Sequence, residues 1–90
     1  MEKSVAMFYL YVLKSEKDGM LYTGHTSNLD KRLENHNNGK VRSTAPRRPF
    51  TIIYKETFET RSEARWREQY FKTASGKVIL RKFLKGITPL

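Results

Sequence analysis

The run from Phe8 to His36, FYLYVLKSEKDGMLYTGHTSNLDKRLENH, leaves the chain little choice of architecture. Phe8 to Leu13 is aromatic, β-branched or aliphatic throughout, the composition of a strand covered on both faces. Ser15 to Gly19 supplies turn chemistry and Met20 to His25 returns as a second strand, and so short a connection makes the pair an antiparallel hairpin. Tyr11 and Tyr22 are thereby brought near each other. Past Gly24 the pattern turns helical, with Ser27 or Asn28 as N-cap and Asp30 in the first turn, where a negative charge complements the helix dipole. Leu29 and Leu33 set the apolar stripe of this helix. Arg32 and His36 follow Leu29 at spacings that put them on the same face, so two polar residues complete a stripe directed at the core.

The rest of the chain supplies partners for this unit. Asn37, Asn38 and Gly39 end the helix with residues that tolerate left-handed backbone angles. Lys40 to Pro49 reads as a basic loop carrying Lys40, Arg42, Arg47 and Arg48, stiffened by Pro46 and Pro49. Phe50 to Tyr54 is a third strand, with Lys55 to Glu59 leading out of it. Thr60-Arg61-Ser62-Glu63 is a capping-box pattern, which opens a second helix running to about Thr73. Ala64, Tyr70 and Phe71 form its packing arc, with Arg67 inside the arc, Trp66 beside it and Glu68 at its edge. Gly76 is read as a break, followed by a shorter basic helix, Lys77 to Lys85, that covers the domain with Val78, Leu80, Phe83 and Leu84. Met1 to Ala6 is a loose lead-in. The order β-β-α-β-α-α predicts an α+β fold, a three-stranded mainly antiparallel sheet flanked by helices.

Ninety residues make one domain, 1–90, with its core over about 8–84. A core this small does not enclose a site, so function belongs in a surface groove. Lys and Arg outnumber Asp and Glu by 18 to 9, and a net charge of +9 on so short a chain points to a polyanionic partner. Nucleic acid is favoured over charge that merely aids solubility, because the basic residues are interleaved with aromatics able to stack on bases, and a membrane surface or an acidic protein is a lesser rival. The absence of cysteine excludes disulfide frameworks and thiolate zinc sites, and it fits a reducing cytoplasm. Val5 to Leu13 is far short of the roughly 20 apolar residues of a membrane-spanning helix and has no small-residue cleavage site. With Asp18 and Asp30 the only aspartates and His25 and His36 the only histidines, carboxylate clusters for two metals and paired-histidine zinc motifs are hard to assemble. Neither Gly39-Lys40 nor Gly76-Lys77 has the surroundings of a phosphate-binding loop.

Tyr9-Leu10-Tyr11, then Tyr22-Thr23-Gly24, then Lys31-Arg32-Leu33 on the helix, followed by Phe50 to Tyr54, Ser62-Glu63-Ala64 and Arg67-Glu68, resemble in order and spacing the GIY-YIG nuclease family. The resemblance covers roughly Phe8 to Leu84. It is to the small single-domain bacterial type, similar to the catalytic domain of the excision-repair incision subunit and of homing endonucleases. Tyr9 stands where the name-giving glycine would be and Thr23 where the isoleucine would be, neither of which supplies a catalytic side chain in the family.

The resemblance implies a metal-dependent endonuclease that hydrolyses DNA phosphodiester bonds with a single metal, and it assigns the residues. Glu68 would be the sole protein ligand of Mg²⁺ or Mn²⁺, waters and a phosphate oxygen completing the shell of a hard cation. Without the resemblance, Glu68 is a surface glutamate paired with Arg65 or Lys72 on its own helix. Arg32 would hold the scissile phosphate through a bidentate fork. Tyr11 and Tyr22 would line the groove, one as general base and the other positioning water or phosphate, and the residues leave open which is which. A phenol titrating near 10 needs about 3 to 4 kcal/mol of differential stabilisation to come two to three units lower. His36 would share the proton work or bind phosphate, with capping or packing the competing role, and His25 is a groove-edge residue without a family counterpart. Gly24 is backbone permission for a tight turn at the strand end and for close approach of substrate. Lys40, Arg42, Arg47 and Arg48, with the last helix, would bind backbone phosphates without reading sequence. The partner would be duplex or branched DNA, with RNA a further candidate and a protein partner a candidate source of specificity. The alternative function is a nucleic-acid-binding domain of the same fold that cleaves little unless a partner recruits it. Family members act in repair, restriction, homing and recombination, so the resemblance names no pathway.

Overall fold

The structure, a computed structural model, describes residues 7–87; the lead-in expected over Met1 to Ala6 lies outside them. Its elements follow the order read from the sequence: β1 (Phe8–Ser15), β2 (Leu21–Thr26), α1 (Leu29–Asn37), β3 (Phe50–Phe58), α2 (Arg61–Phe71) and α3 (Ala74–Ile87), with a 3₁₀ turn at Ala45–Arg47. The sheet order is β2-β1-β3, both pairings antiparallel, so β1 is central and β2 and β3 are edges.

A central strand needs apolar residues on both faces, and β1 has them. Leu10 and Val12 join Phe71 and Leu80 in one fully buried cluster beneath α2 and α3, while Tyr11 and Leu13 join Phe50 in a second, packed by Leu29 and Leu33 of α1. A bulge on β3 is visible as the jump from Val12 opposite Tyr54 to Leu13 opposite Ile52. It turns both Ile53 and Tyr54 toward the first cluster.

The connections are fixed by local hydrogen bonds. In the hairpin turn Gly19 takes φ 75°, the left-handed region that glycine enters without strain. The buried Ser15 hydroxyl accepts from Lys17 and Asp18 N–H and donates to the Arg47 carbonyl at 2.6 Å, tying the turn to the basic loop. Asn28 caps α1 by accepting from Lys31 N–H, and Thr60 and Glu63 form the reciprocal capping box expected for α2. Asn37 brackets the backbone of Phe50, accepting from its N–H at 2.6 Å and donating to its carbonyl at 3.2 Å, which locks the end of α1 to β3.

Three readings are corrected. β3 runs on to Phe58 instead of ending at Tyr54, because the first half of β1 offers it a partner through Phe8. Gly76 does not break the chain: α3 starts at Ala74, with the Thr73 hydroxyl accepting from Gly76 N–H at 3.0 Å, so Thr73 begins α3 instead of ending α2. A β-carbon at Gly76 would stand 1.8 Å from the Tyr70 carbonyl oxygen, so this glycine serves the close crossing of α2 and α3. On α3, Leu80 is buried and Ile79 and Leu84 pack, whereas Val78 is half exposed and Phe83 lies stacked on Tyr54 at the margin. Arg67 has a structural position inside its arc: it forks onto Glu56 at 2.8 and 3.2 Å and lies over the Phe71 ring at 4.3 Å. Burial, then the hydrogen bond to Glu56 and its charge, push the neighbouring Tyr54 phenol up to about 12.

Candidate active site

β1 and β2 carry alternate residues to opposite faces of the sheet, and the site is built at the edge where the two faces meet. Tyr11 pairs with Gly24 and points to the α1 side; His25, paired with Leu10, points to the α2 side. Around this edge a groove of about 300 Å³ is lined by Tyr11, Tyr22, Gly24, His25, Arg32, His36, Thr44, Glu68 and Lys72 among others. All five residues assigned as catalytic from the resemblance line it, although they come from β1, β2, α1 and α2.

On the α1 side the hydrogen bonds form a single chain. Arg32 Nε–H donates to Tyr11 Oη at 3.1 Å. His36 has its two ring nitrogens on Tyr11 Oη at 3.2 Å and on Thr44 Oγ1 at 2.8 Å. The Thr44 hydroxyl donates to the Val41 carbonyl at 3.3 Å, so it must accept from His36 Nδ1–H. That leaves Nε2 as the acceptor for the Tyr11 hydroxyl. His36 and Thr44 are both buried, at 4% and 2% exposure. Burial, and after it the charge of Arg32, hold the His36 pKa below its ordinary value, so the imidazole is neutral at pH 7 and able to take a proton.

The glycine at position 24 is required by this arrangement. A β-carbon there would lie 2.5 Å from Tyr11 Oη and 2.6 Å from its Cζ. The expectation of a tight turn is corrected, since Gly24 sits within β2 and has no positive φ; what it permits is the Tyr11 ring lying across the strand. Tyr22 is held differently, by an edge-on contact with Phe50 at 5.5 Å, and its hydroxyl makes no hydrogen bond among the described residues.

On the α2 side Glu68 is clamped. His25 Nδ1 meets Oε1 at 2.5 Å and Lys72 Nζ donates to Oε2 at 2.6 Å, with only 16% of the glutamate side chain exposed. Burial works to raise the Glu68 pKa, and the hydrogen bonds and charges of His25 and Lys72 overcome it, leaving a carboxylate that is ionised below the usual range. The Lys72 pairing expected of a surface glutamate therefore exists, yet on a residue that faces the groove. Among the described residues no three His, Cys, Asp or Glu cluster, so a metal bound here would draw on Glu68, with His25 beside it as a further donor, and would take the rest of its shell from water or a ligand's oxygens. A hard cation that keeps several waters suits that donor set.

The basic loop is placed less centrally than expected. It turns Val41, Ser43 and Thr44 to the groove, whereas Lys40, Arg42, Arg47 and Arg48 do not line it. Arg47 faces Asp18 at 3.6 Å, and Arg48 donates to the Ala45 carbonyl at 2.9 Å while lying against Gly39. Sequence reasoning missed Lys72 as a groove residue and His25 as the partner of Glu68. Lys72 was marked only by its spacing from Glu68, and His25 by strand parity, which sets it on the opposite face from Tyr22 and Gly24.

The chain belongs to the GIY-YIG family of nuclease domains: the GIY-YIG catalytic domain profile matches residues 7–82. Within it, the chain is similar to the small bacterial UPF0213 proteins. It is 43% identical over 79 residues to one from Staphylococcus saprophyticus, covering 87% of this chain and 95% of that protein. It is 49% identical over 70 residues to one from Bacillus licheniformis, covering 77% and 71%. The solution NMR structure of a UPF0213 protein from Bacillus halodurans aligns with a TM-score of 0.52 at 31% identity, covering 86% of this chain and 84% of that one. No helix of the described residues is long and apolar enough to cross a membrane.

Proposed function

We propose that this protein is an endonuclease that hydrolyses DNA phosphodiester bonds with one divalent metal, Mg²⁺ or Mn²⁺, held by Glu68. The observation that carries the reading is the unbroken chain from Arg32 through Tyr11 and His36 to Thr44, set in one groove with an ionised glutamate. Tyr11 is the base candidate, since its hydroxyl has a neutral imidazole to discharge onto and Tyr22 has no such outlet. A water above Tyr11 gives its proton to Oη as Oη passes its own to His36 Nε2. The water oxygen forms the new bond to phosphorus, the bond to the leaving sugar oxygen breaks, and that oxygen takes a proton from solvent. Arg32 spends its Nε–H on Tyr11 and has its terminal nitrogens for the phosphate oxygens, so one side chain orients both base and substrate. The metal supplies, when bound, positive charge for the phosphoryl and leaving oxygens.

A second reading, a nucleic-acid-binding domain that cleaves little until a partner recruits it, is favoured by one observation: both Glu68 oxygens are already bonded, to His25 and Lys72. A metal-dependent nicking assay on duplex, branched and single-stranded DNA, run beside Glu68→Gln, separates the two. Glu68→Gln keeps size and helix propensity and removes the charge, so cleavage should collapse while binding persists. Equal cleavage by parent and variant with either metal refutes Glu68 as the ligand, and a parent inactive on every substrate leaves the binding reading.

A further inference from the structure

A second groove, of about 470 Å³, runs on from the first and shares Tyr22, Thr23 and Lys72 with it. Its rim is cationic: Lys72 is joined by Lys77 and Arg81, one turn apart on α3, and no Asp or Glu lines it. Its wall on the β2 side is apolar, formed by Met20 and Leu21, which are 52% and 42% exposed at the free edge of the sheet. Among the described residues neither Lys77 nor Arg81 forms an ion pair, whereas Lys72 is paired with Glu68 and, of the basic loop, only Arg47 is paired, with Asp18. Two half-exposed apolar side chains beside two unpaired cations and the Glu68-bonded Lys72, continuous with the groove that holds Arg32 and Glu68, call for a ligand that is polyanionic yet offers flat apolar surface.

We propose that this groove is the binding track for the polynucleotide strand on one side of the scissile phosphate, with Lys77 and Arg81 on successive backbone phosphates and Met20 and Leu21 against sugar and base. The inference rests on the nucleic-acid reading above and narrows the docking surface from the Lys40–Arg48 loop together with the last helix to two residues of α3 and the apolar β2 edge. A second copy of the chain suits the groove poorly, because each copy carries +9 and the rim is uniformly positive. An acidic peptide satisfies the charges but leaves the apolar wall without a role.

The test is the salt dependence of binding of a fluorescent DNA oligonucleotide, measured by anisotropy in the Glu68→Gln background without metal so that nothing is cut. Lys77→Ala with Arg81→Ala should reduce the log–log salt slope by about 1.4 to 1.8, since each phosphate contact contributes roughly 0.7 to 0.9. Alanine is the best helix former, so α3 should hold, and circular dichroism checks it. Leu21→Ser should weaken binding severalfold at every salt concentration and leave the slope unchanged. The matched pair Arg47→Ala with Arg48→Ala should change the slope less than the α3 pair does. If the parent binds with a steep slope and the α3 pair leaves it intact, the track is wrong while the nucleic-acid reading stands. If the parent binds no DNA at low salt, both fall. A polyglutamate chain that displaces DNA as well as an equally charged oligonucleotide does would assign the groove to acidic peptides and overturn the proposal, as would a dimer in sedimentation that the α3 substitutions dissociate.

Discussion

Substituting Gly24 by alanine tests the geometry of the site more directly than removal of any side chain proposed as catalytic, because it adds one methyl and removes nothing. The new carbon would stand 2.5 Å from Tyr11 Oη and 2.6 Å from Cζ, against an ordinary contact of roughly 3.5 Å, so the ring must retreat by about 1 Å. Tyr11 is only 3% exposed and packed with Leu13 and Phe50, so that retreat overpacks the core at about 1 to 3 kcal/mol. The same displacement stretches the 3.1 Å bond from Arg32 and the 3.2 Å bond to His36 beyond hydrogen-bonding range, at roughly 0.5 to 1.5 kcal/mol each. β2 is an edge strand and yields in part, which favours the lower end, so Gly24→Ala should destabilise by about 2 to 4 kcal/mol. Against a total of roughly 5 to 15 kcal/mol the domain remains folded. Urea unfolding followed by far-UV circular dichroism measures the loss, and the His36 ring resonances in NMR report whether the bond to Tyr11 is broken. A variant within about 0.5 kcal/mol of the parent, with His36 signals unmoved, would show that Tyr11 does not lie across Gly24 and would remove the basis for coupling Tyr11 to His36.

The remaining expectations concern catalysis, pH and packing. Tyr11→Phe should lower cleavage by about 10² or more if the hydroxyl is the base, and Tyr22→Phe by much less; equal loss, or none, contradicts the proton path. His36 has a folded pKa below its unfolded value near 6.5, so its contribution to stability is present above about pH 6.5 and is lost as pH falls through the lower folded pKa. Unfolding free energy should accordingly rise as pH is raised from the acid side to about 6.5, with a smaller rise in His36→Gln; identical profiles would place the proton elsewhere. Glu68 behaves likewise lower on the scale, its contribution present above about 4.5 and lost beneath that, which a Glu68→Gln acid titration should flatten. Gly76→Ala should be strongly destabilising, because its β-carbon would meet the Tyr70 carbonyl at 1.8 Å, whereas Gly86→Ala meets nothing and should stabilise by up to about 1 kcal/mol. Thermal melts of the two variants that fail to separate would refute the α2–α3 crossing.

The amino-acid sequence by itself determined the elements, and with the family resemblance it pointed to most of the residues that line the candidate groove. The unbroken apolar run Phe8–Leu13, turn residues around Ser15–Gly19 and the caps at Asn28 and Thr60 are local signals, each expressed within a few residues, and the structure follows them. Tyr11, Tyr22, Arg32, His36 and Glu68 could be named because the resemblance to the GIY-YIG family assigns them, with the α1 stripe separately marking Arg32 and His36. Only the tertiary structure decided what these residues do to one another. The His36–Thr44 bond and the Glu68–His25 pair join segments 8 and 43 residues apart, and no local periodicity encodes such contacts. Gly24 and Gly76 show the limit most clearly. Both look like punctuation in a linear reading, yet each is small because another part of the chain, the Tyr11 ring in one case and the Tyr70 carbonyl in the other, occupies the space a side chain would need. Which basic residues face the groove was likewise settled in three dimensions: charge along a sequence counts cations, and packing decides that Lys72 enters the site while Arg47 turns back to Asp18.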